Sequence, residues 1–377
     1  MFINSLISIP VIRNISLPDP DQCMQAALEW IQYAHQVVSC QGVSKGYDLL
    51  RRSWAPPYPE TTGYIIPTLL NAHSILSKVE YKDLAISLAD FLLDQATSEG
   101  GVAHWRSNSV SKPVVFDTGQ VIFGWLAAYQ VSKDERYLKV AQKAGDWLVT
   151  IQDPSGAWIQ NQHLNVTKVI DTRVAWALLE LNRWMPEGDY RTAASHNLEW
   201  TLSQQDSDGW FSHCAFTEQE DPFTHTLAYT AEGLLESGLL LNESRYIDAA
   251  RITIAALRDR VNPDGSLPGS FRRSWKPSSR SSCLTGNCQL AGLLLRMYDL
   301  DRQQKDRQVA EKAIGFVAST QILDKQSKNI YGGIAGSHPI YGRYERFKYP
   351  NWAAKFFIDS LCALIEDGDR KNLKYRG

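Results

Sequence analysis

Six times along this chain a charged, amphipathic helical segment alternates with one that is apolar or small on every side. The first set runs over residues 21–40, 81–97, 135–152, 188–204, 245–261 and 307–322, and the second over 60–77, 117–131, 171–184, 224–240, 283–299 and 350–366. In YLKVAQKAGDWLVTIQ and YIDAARITIAALRDRV the apolar residues recur at i, i+3, i+4 and i+7, the spacing of a helix with one wet face. VIFGWLAAY, VAWALLEL and AAKFFIDSLCAL have no wet face at all. Alternation of the two kinds predicts two concentric layers: an outer ring of helices in water and an inner ring covered on both sides. The links differ in the same rhythm. Those from inner to outer segments are short, as in QVSKDER, whereas those from outer to inner are long and rich in Gly, Trp and His. Long links tend to carry function, so one face of the ring should be elaborated and the other plain.

The fold class predicted is all-α, with an arm at residues 1–20, one ring-shaped domain over 21–366 and a tail at 367–377. At 377 residues, 44% of them hydrophobic, the chain can bury one large core. A net charge of −2 gives no electrostatic case for nucleic acid or an anionic membrane. No apolar run is long enough to span a bilayer. The first twenty residues lack a basic start and a small-residue cleavage site, so they read as an arm rather than a signal peptide. Six scattered cysteines in a chain of this size suggest buried, reduced thiols and a cytoplasmic home.

Many long links open on a turn that pairs Gly with an aromatic: Gly100-Gly101 with Trp105, Gly156 with Trp158, Gly209 with Trp210, and Gly332-Gly333 after Tyr331. In the third repeat, Lys143-Ala144, Trp147-Leu148, Gln152, Gly156 and Trp158 together resemble the QW repeat of terpenoid cyclases, in which Gln and Trp tie a helix end to the next hairpin. Partial copies stand at Phe91, Gln95 and Trp105, at Trp200, Gln205 and Trp210, and at Phe316 and Gln321. Over residues 21–366 the pattern resembles the (α/α)6 toroid superfamily. That superfamily includes terpenoid cyclases, protein prenyltransferase β-subunits and six-hairpin carbohydrate enzymes. The resemblance implies a ring of six hairpins and leaves the chemistry open, because one ring hosts unrelated reactions.

Each inner segment starts on a polar signature: Tyr58-Pro59-Glu60-Thr61-Thr62, Asp117-Thr118-Gly119-Gln120, Asp171-Thr172-Arg173, Thr224-His225-Thr226, Cys283 to Asn287, and Tyr349-Pro350-Asn351-Trp352. In a toroid the inner helices run parallel, so these six starts meet on one face. Their unpaired N–H groups favour an anionic ligand there. Asp, Thr and Asn are also ordinary N-caps, so capping is the competing account of each. As functional groups, Asp117 and Asp171 would be the acid and base of glycoside hydrolysis. His225 and Tyr229, one helical turn apart, would be the proton carriers of a uronate β-elimination, with a cation on the substrate carboxylate. Arg173, Arg272, Arg273, Arg343, Arg346 and Lys355 are the candidates for that cation. The link YGGIAGSHPIYGRYERFKYPNW reads as a loop folded over the cleft, with His338 in reach of it. Further substrate contacts are expected from Glu60, Trp105, Gln120, Asn287, Tyr341, Tyr344, Tyr349 and Trp352.

No cofactor is expected, and no metal. Lanthionine synthetase-type cyclases hold zinc in this ring with two Cys and one His near the fifth and sixth inner helices, but here Cys283 opens the fifth inner segment, only Ser337-His338 precedes the sixth, and His213-Cys214 lies in another repeat. The Asp-rich acid motif of terpenoid cyclases is also missing, since Asp206-Ser207-Asp208 does not supply it. The chain therefore reads as a carbohydrate-active enzyme that cleaves or modifies a uronate-containing polysaccharide, by elimination or hydrolysis. Two alternatives stand beside this: a cyclase or prenyltransferase with a deep apolar lumen, and a ring that binds a glycan or protein without catalysis.

Overall fold

The computed structural model describes residues 19–103 and 112–369. Most of the expected arm, residues 370–377 of the expected tail, and Trp105 lie outside the described residues. Twelve helices account for most of the rest: α1 (Pro20–Gln36), α2 (Pro59–Leu76), α3 (Val79–Leu93), α4 (Val115–Ser132), α5 (Glu135–Thr150), α6 (Thr172–Asn182), α7 (Tyr190–Ser203), α8 (Thr224–Leu241), α9 (Ser244–Arg258), α10 (Leu284–Asp301), α11 (Gln304–Thr320) and α12 (Asn351–Asp369). Even-numbered helices form the inner ring, each packed on its neighbours, and α12 returns to α2. Odd-numbered helices form the outer ring, and α1 packs against α12 to complete the sixth pair. Among the described residues no helix is long and apolar enough to cross a membrane.

The short links explain why each inner helix turns straight back into an outer one. Four of them are two residues long, and the first residue of each (Ser77, Lys133, Asn242 or Arg302) is left-handed. At Ser77, Lys133 and Arg302 the backbone N–H returns to a carbonyl four residues earlier, which closes the last turn. Asp134 then caps α5, its side chain accepting from the N–H of Arg136. The outer helices are also laced to each other by tyrosines near their starts. The Tyr137 hydroxyl donates to Asp90 on α3 at 2.9 Å, Tyr190 to Asp146 on α5 at 2.5 Å, and Tyr246 to Glu199 on α7.

The QW-like residues act as ties in the third repeat. Gln152 donates to the carbonyls of Gly156 and, on the neighbouring outer helix α7, of Ala193. Trp158 donates to the Leu148 carbonyl near the end of α5. Gln205 reaches Ala249 on α9 in the same way, and Gln321 reaches Cys23 on α1. Each tie accompanies a left-handed glycine pressed on the next outer helix. At Gly156 (φ 90°) a Cβ would stand 2.3 Å from the His196 carbonyl oxygen, and at Gly332 (φ 76°) only 1.9 Å from that of Ala26. Gly332→Ala is therefore expected to lose about 2–4 kcal/mol of stability, from the left-handed strain plus overpacking. Urea unfolding would measure it, and a loss under about 0.5 kcal/mol would mean the turn is not held against α1.

The long links gather at the opposite end, over the starts of the inner helices. A strand at Gly46–Asp48 pairs antiparallel with Lys348–Pro350, which fastens the first long link to the last. Ser282–Cys283 pairs with Ser337–His338, which fastens the last link across the start of α10. The last link is thereby held over the middle of that face.

Candidate active site

A cleft of about 370 Å³ opens at the inner-helix starts, a volume within the range of small-ligand sites. Its wall carries Glu60 and Tyr64 from α2, Phe116 and Asp117 from α4, and His225 and Tyr229 from α8. Trp352 comes from α12. Links supply Lys45, Tyr58, Gln162, Lys168, Phe216, Glu220, Arg343 and Tyr344. The wall is thus largely aromatic and holds three cations among several carboxyl groups.

Three of the carboxyl groups lie at helix starts in adjacent repeats. Asp117 is on the wall and almost fully buried. Asp171 sits just behind Ile170 and Gln162, which line the cleft. One of its oxygens accepts from the Gln162 side-chain amide at 2.7 Å, while the other is buried with no hydrogen-bond partner. Burial lifts the Asp171 carboxyl to about 7, against the pull of Lys168 and the Gln162 hydrogen bond. Glu60 is lifted further, to about 8, by burial and then by the nearby charge of Asp117. The Tyr58 hydroxyl, Lys45 and Arg173 oppose that rise.

Lys168 lies within electrostatic reach of both Asp171 and Asp117, and burial lowers its own pKa. It donates to the carbonyls of His163 and Val166 at 2.6 and 2.7 Å, which pins the loop that forms this lip of the cleft. Asn161, Leu164 and Asn165 in that loop are all left-handed.

Elsewhere on the wall, His225 packs against Tyr229 with the rings tilted by 52° and their centres 4.2 Å apart, and it meets Tyr344 at 5.3 Å. Its Nδ1 lies 2.7 Å from Oε1 of Gln289. Burial is the main reason its pKa falls to about 3, with the nearby charge of Arg173 adding to it. Tyr344 is locked in turn, accepting from the Trp352 indole N–H at 2.8 Å. The last link does fold over the cleft, and Arg343, Tyr344 and Glu345 are the residues it contributes.

Several residues nominated from sequence are placed elsewhere. Arg173 is fully buried behind Tyr229, held by Gln120 at 2.8 Å and ion-paired to Glu232. It is therefore unavailable for direct contact with a ligand in the cleft, and Gln120 is spent on holding it. Lys355 is likewise buried, paired with Asp359 at 2.6 Å and seated over the Phe356 ring. Asn287 ties α10 to the Gly265 carbonyl. Tyr349 belongs to the strand pair with Tyr47, and Tyr341 points to solvent. Arg273 forms an exposed pair with Asp206, and Arg272 one with Asp221. His338 packs edge-on against Phe316, away from the wall.

Conversely, Lys45, Gln162, Lys168, Phe216 and Glu220 line the cleft without having been singled out. They lie in links, where no periodicity marks a wall position. The one available signal was Lys168, a lone cation three residues before Asp171.

The lumen does not run through as an apolar tunnel. A smaller recess of about 100 Å³ opens toward the other end of the inner helices, lined by Trp176, Glu232, Glu236, Gln289, Arg296 and Asp359 among others. Between the two lie the Arg173–Glu232 and Lys355–Asp359 pairs and the His225–Gln289 contact. A charged septum of this kind does not suit an isoprenoid chain. Among the described residues no three His, Cys, Asp or Glu side chains stand together as a metal site would require.

No family model matches the chain, and no curated protein matches it by sequence. Solved structures do match over nearly the whole length. The unsaturated glucuronyl hydrolase of Bacillus sp. GL1 is 15% identical, with a TM-score of 0.72 over 92% of this chain and 97% of that one. An unsaturated glucuronyl hydrolase specific for heparin is 16% identical, with a TM-score of 0.73 over 93% and 98%. The cellobiose 2-epimerase of Bacillus thermoamylovorans is 12% identical, with a TM-score of 0.70 over 90% and 97%. The fold is the (α/α)6 toroid. At such identities the likeness establishes that architecture, and the chemistry rests on the cleft.

Proposed function

We propose that this toroid is a hydrolase acting on the uronyl end of an oligosaccharide, with Asp171 as general acid and Asp117 as the carboxylate that orients water. The observation that carries this reading is Asp171 itself: a buried carboxyl poised at about 7 beside a sugar-sized cleft, with Asp117 on its wall and Lys168 in reach of both. A general acid works best when its pKa lies near the working pH. When substrate displaces the Gln162 amide from its carboxyl, protonated Asp171 gives its proton to the departing oxygen while water, losing a proton to the second carboxylate, attacks the sugar. Lys45, Lys168 and Arg343 supply the positive charge that a uronate carboxylate needs, and the aromatic wall offers a face for the ring. Structural neighbours named as unsaturated glucuronyl hydrolases support the same substrate class. We place the enzyme in the cytoplasm, in keeping with its six free cysteines.

Elimination led by His225 is less favoured on chemical grounds. A histidine whose pKa has fallen to about 3 is unprotonated at neutral pH but a weak base. The buried arginine nearest it is committed to Glu232.

The two reactions leave opposite optical traces. Hydrolysis of an unsaturated glucuronyl disaccharide releases an unsaturated uronate whose ring opens to an enol and tautomerises to the 2-keto acid, so the conjugated double bond is lost and ultraviolet absorbance falls. Elimination on a saturated uronate polymer creates that bond, so absorbance rises. The expected result is a fall with the disaccharide and new reducing ends. A rise on polymer, or no change across a panel of both, would refute the proposal.

A further inference from the structure

We propose that Gln289, a residue off the cleft wall, is a positioning residue that holds His225 as a neutral, Nδ1-protonated ring, so that its Nε2 accepts a hydrogen bond from a substrate hydroxyl. The inference rests on the saccharide reading for the identity of that hydroxyl, and on geometry for the state of the ring.

Gln289 belongs to α10 and is 95% buried, with only 5% of its surface exposed. One end of its amide faces His225 Nδ1 at 2.7 Å. The other end, Nε2, makes no hydrogen bond, and the residue lines the rear recess rather than the cleft. The recess explains which way round the amide lies. Its wall presents the carboxylates Glu232, Glu236 and Asp359, which are acceptors only, and its one guanidinium, Arg296, is turned onto both oxygens of Glu236. The amide N–H group belongs on that side and the carbonyl oxygen on the histidine side. A carbonyl facing Nδ1 requires a proton there, which leaves the Nε2 lone pair bare.

Charged and titratable groups around the ring point the same way. They are Arg173 from α6, Tyr229 from α8, Cys283 at the start of α10 and Tyr344 from the last link. None is a carboxylate. The Gln289 carbonyl would favour an imidazolium, but burial outweighs it and Arg173 opposes one. The ring is a fixed acceptor across the physiological range.

The consequence is an orientation for the ligand. A bare Nε2 attracts a hydroxyl donor and repels a carboxylate. A uronyl residue therefore presents a hydroxyl to His225 and its carboxylate to one of the cations of the cleft wall, Lys45, Lys168 or Arg343.

The test is long-range nitrogen–proton NMR on the full chain labelled at histidine, with His225 assigned by its loss in His225→Gln. The wild-type ring is expected to be the Nδ1–H tautomer and not to titrate from about pH 5 to 9. Gln289→Glu should raise its midpoint by several units, to above neutrality. With an unsaturated glucuronyl–N-acetylgalactosamine disaccharide as substrate, Gln289→Met should raise KM about tenfold and leave kcat within about twofold. An Nε2–H tautomer in the wild type, or an ordinary titration near 6.5, would overturn the inference whatever the substrate. If the tautomer is as expected and the disaccharide is not turned over, the hydrolase reading falls and the role of Gln289 stands.

Discussion

Asp171→Asn is expected to lower kcat by about 10²–10⁴ while leaving KM nearly unchanged, the pattern of a lost general acid. The same substitution should make the protein more stable in alkali. Asp171 titrates at about 7 in the folded chain, against an ordinary value of 3.8. The folded state thus holds a proton that the unfolded state releases, and stability from this group is full below 3.8 and lost as pH rises through about 7. Asparagine keeps an acceptor for Gln162 and carries no charge to bury. The variant's advantage should be small near pH 4, grow by about 1.4 kcal/mol per pH unit above that, and level off at on the order of 4 kcal/mol above about pH 7. Activity of the wild type should fall only as pH rises through about 7, because the acid form of the folded enzyme is the working one. Thermal melts of both proteins from about pH 4 to 9, beside steady-state rates, read out the two effects together. Equal stability of the two at every pH would mean that Asp171 is not buried as described, and full activity in Asp171→Asn would remove it from the mechanism.

Glu232→Gln should cost about 3–5 kcal/mol, because it strands the fully buried Arg173 guanidinium without its counter-charge. Gln120 holds one N–H of that guanidinium and cannot neutralise it. Replacing both partners, with Arg173→Met and Glu232→Leu, should cost much less than the single change. Urea denaturation of the single and double variants would measure the difference. A double variant no more stable than Glu232→Gln would show that the pair acts through something other than its buried charge. Because the pair stands directly behind Tyr229, the single variant should also loosen the cleft and raise KM.

The architecture was legible because it repeats. Two periodicities, one with a wet face and one without, identify the layers, and Gln152 and Trp158 announce how a helix end is tied. The same registration picks out Asp117, Asp171 and His225, since each opens an inner helix and no inner helix is long enough to hide its start. Inner-helix polarity misleads further along. Arg173 and Lys355 look like ligands for an anion because a charge inside a ring needs a partner. Their partners, Glu232 and Asp359, lie on the inner helices themselves, and helical spacing alone does not reveal which charge meets which. Lys45, Gln162 and Lys168 were harder still. Their positions follow from how irregular links fold across one another, through contacts such as those of Lys168 with the His163 and Val166 carbonyls. A local pattern does not encode such contacts.

The α1–α12 pair differs in kind from the other five. Every other inner helix is joined to its outer partner by a covalent link, whereas α12 and α1 meet from opposite ends of the sequence and are held by packing, by Gln321 reaching Cys23, and by Gly332 pressed on Ala26. Mechanically this is a bracelet with five hinges and one clasp. Pulling on the two termini should open the clasp first and leave the rest to unwind pair by pair, whereas pulling across Lys133 and Asn242 would load the hinges and meet far greater resistance.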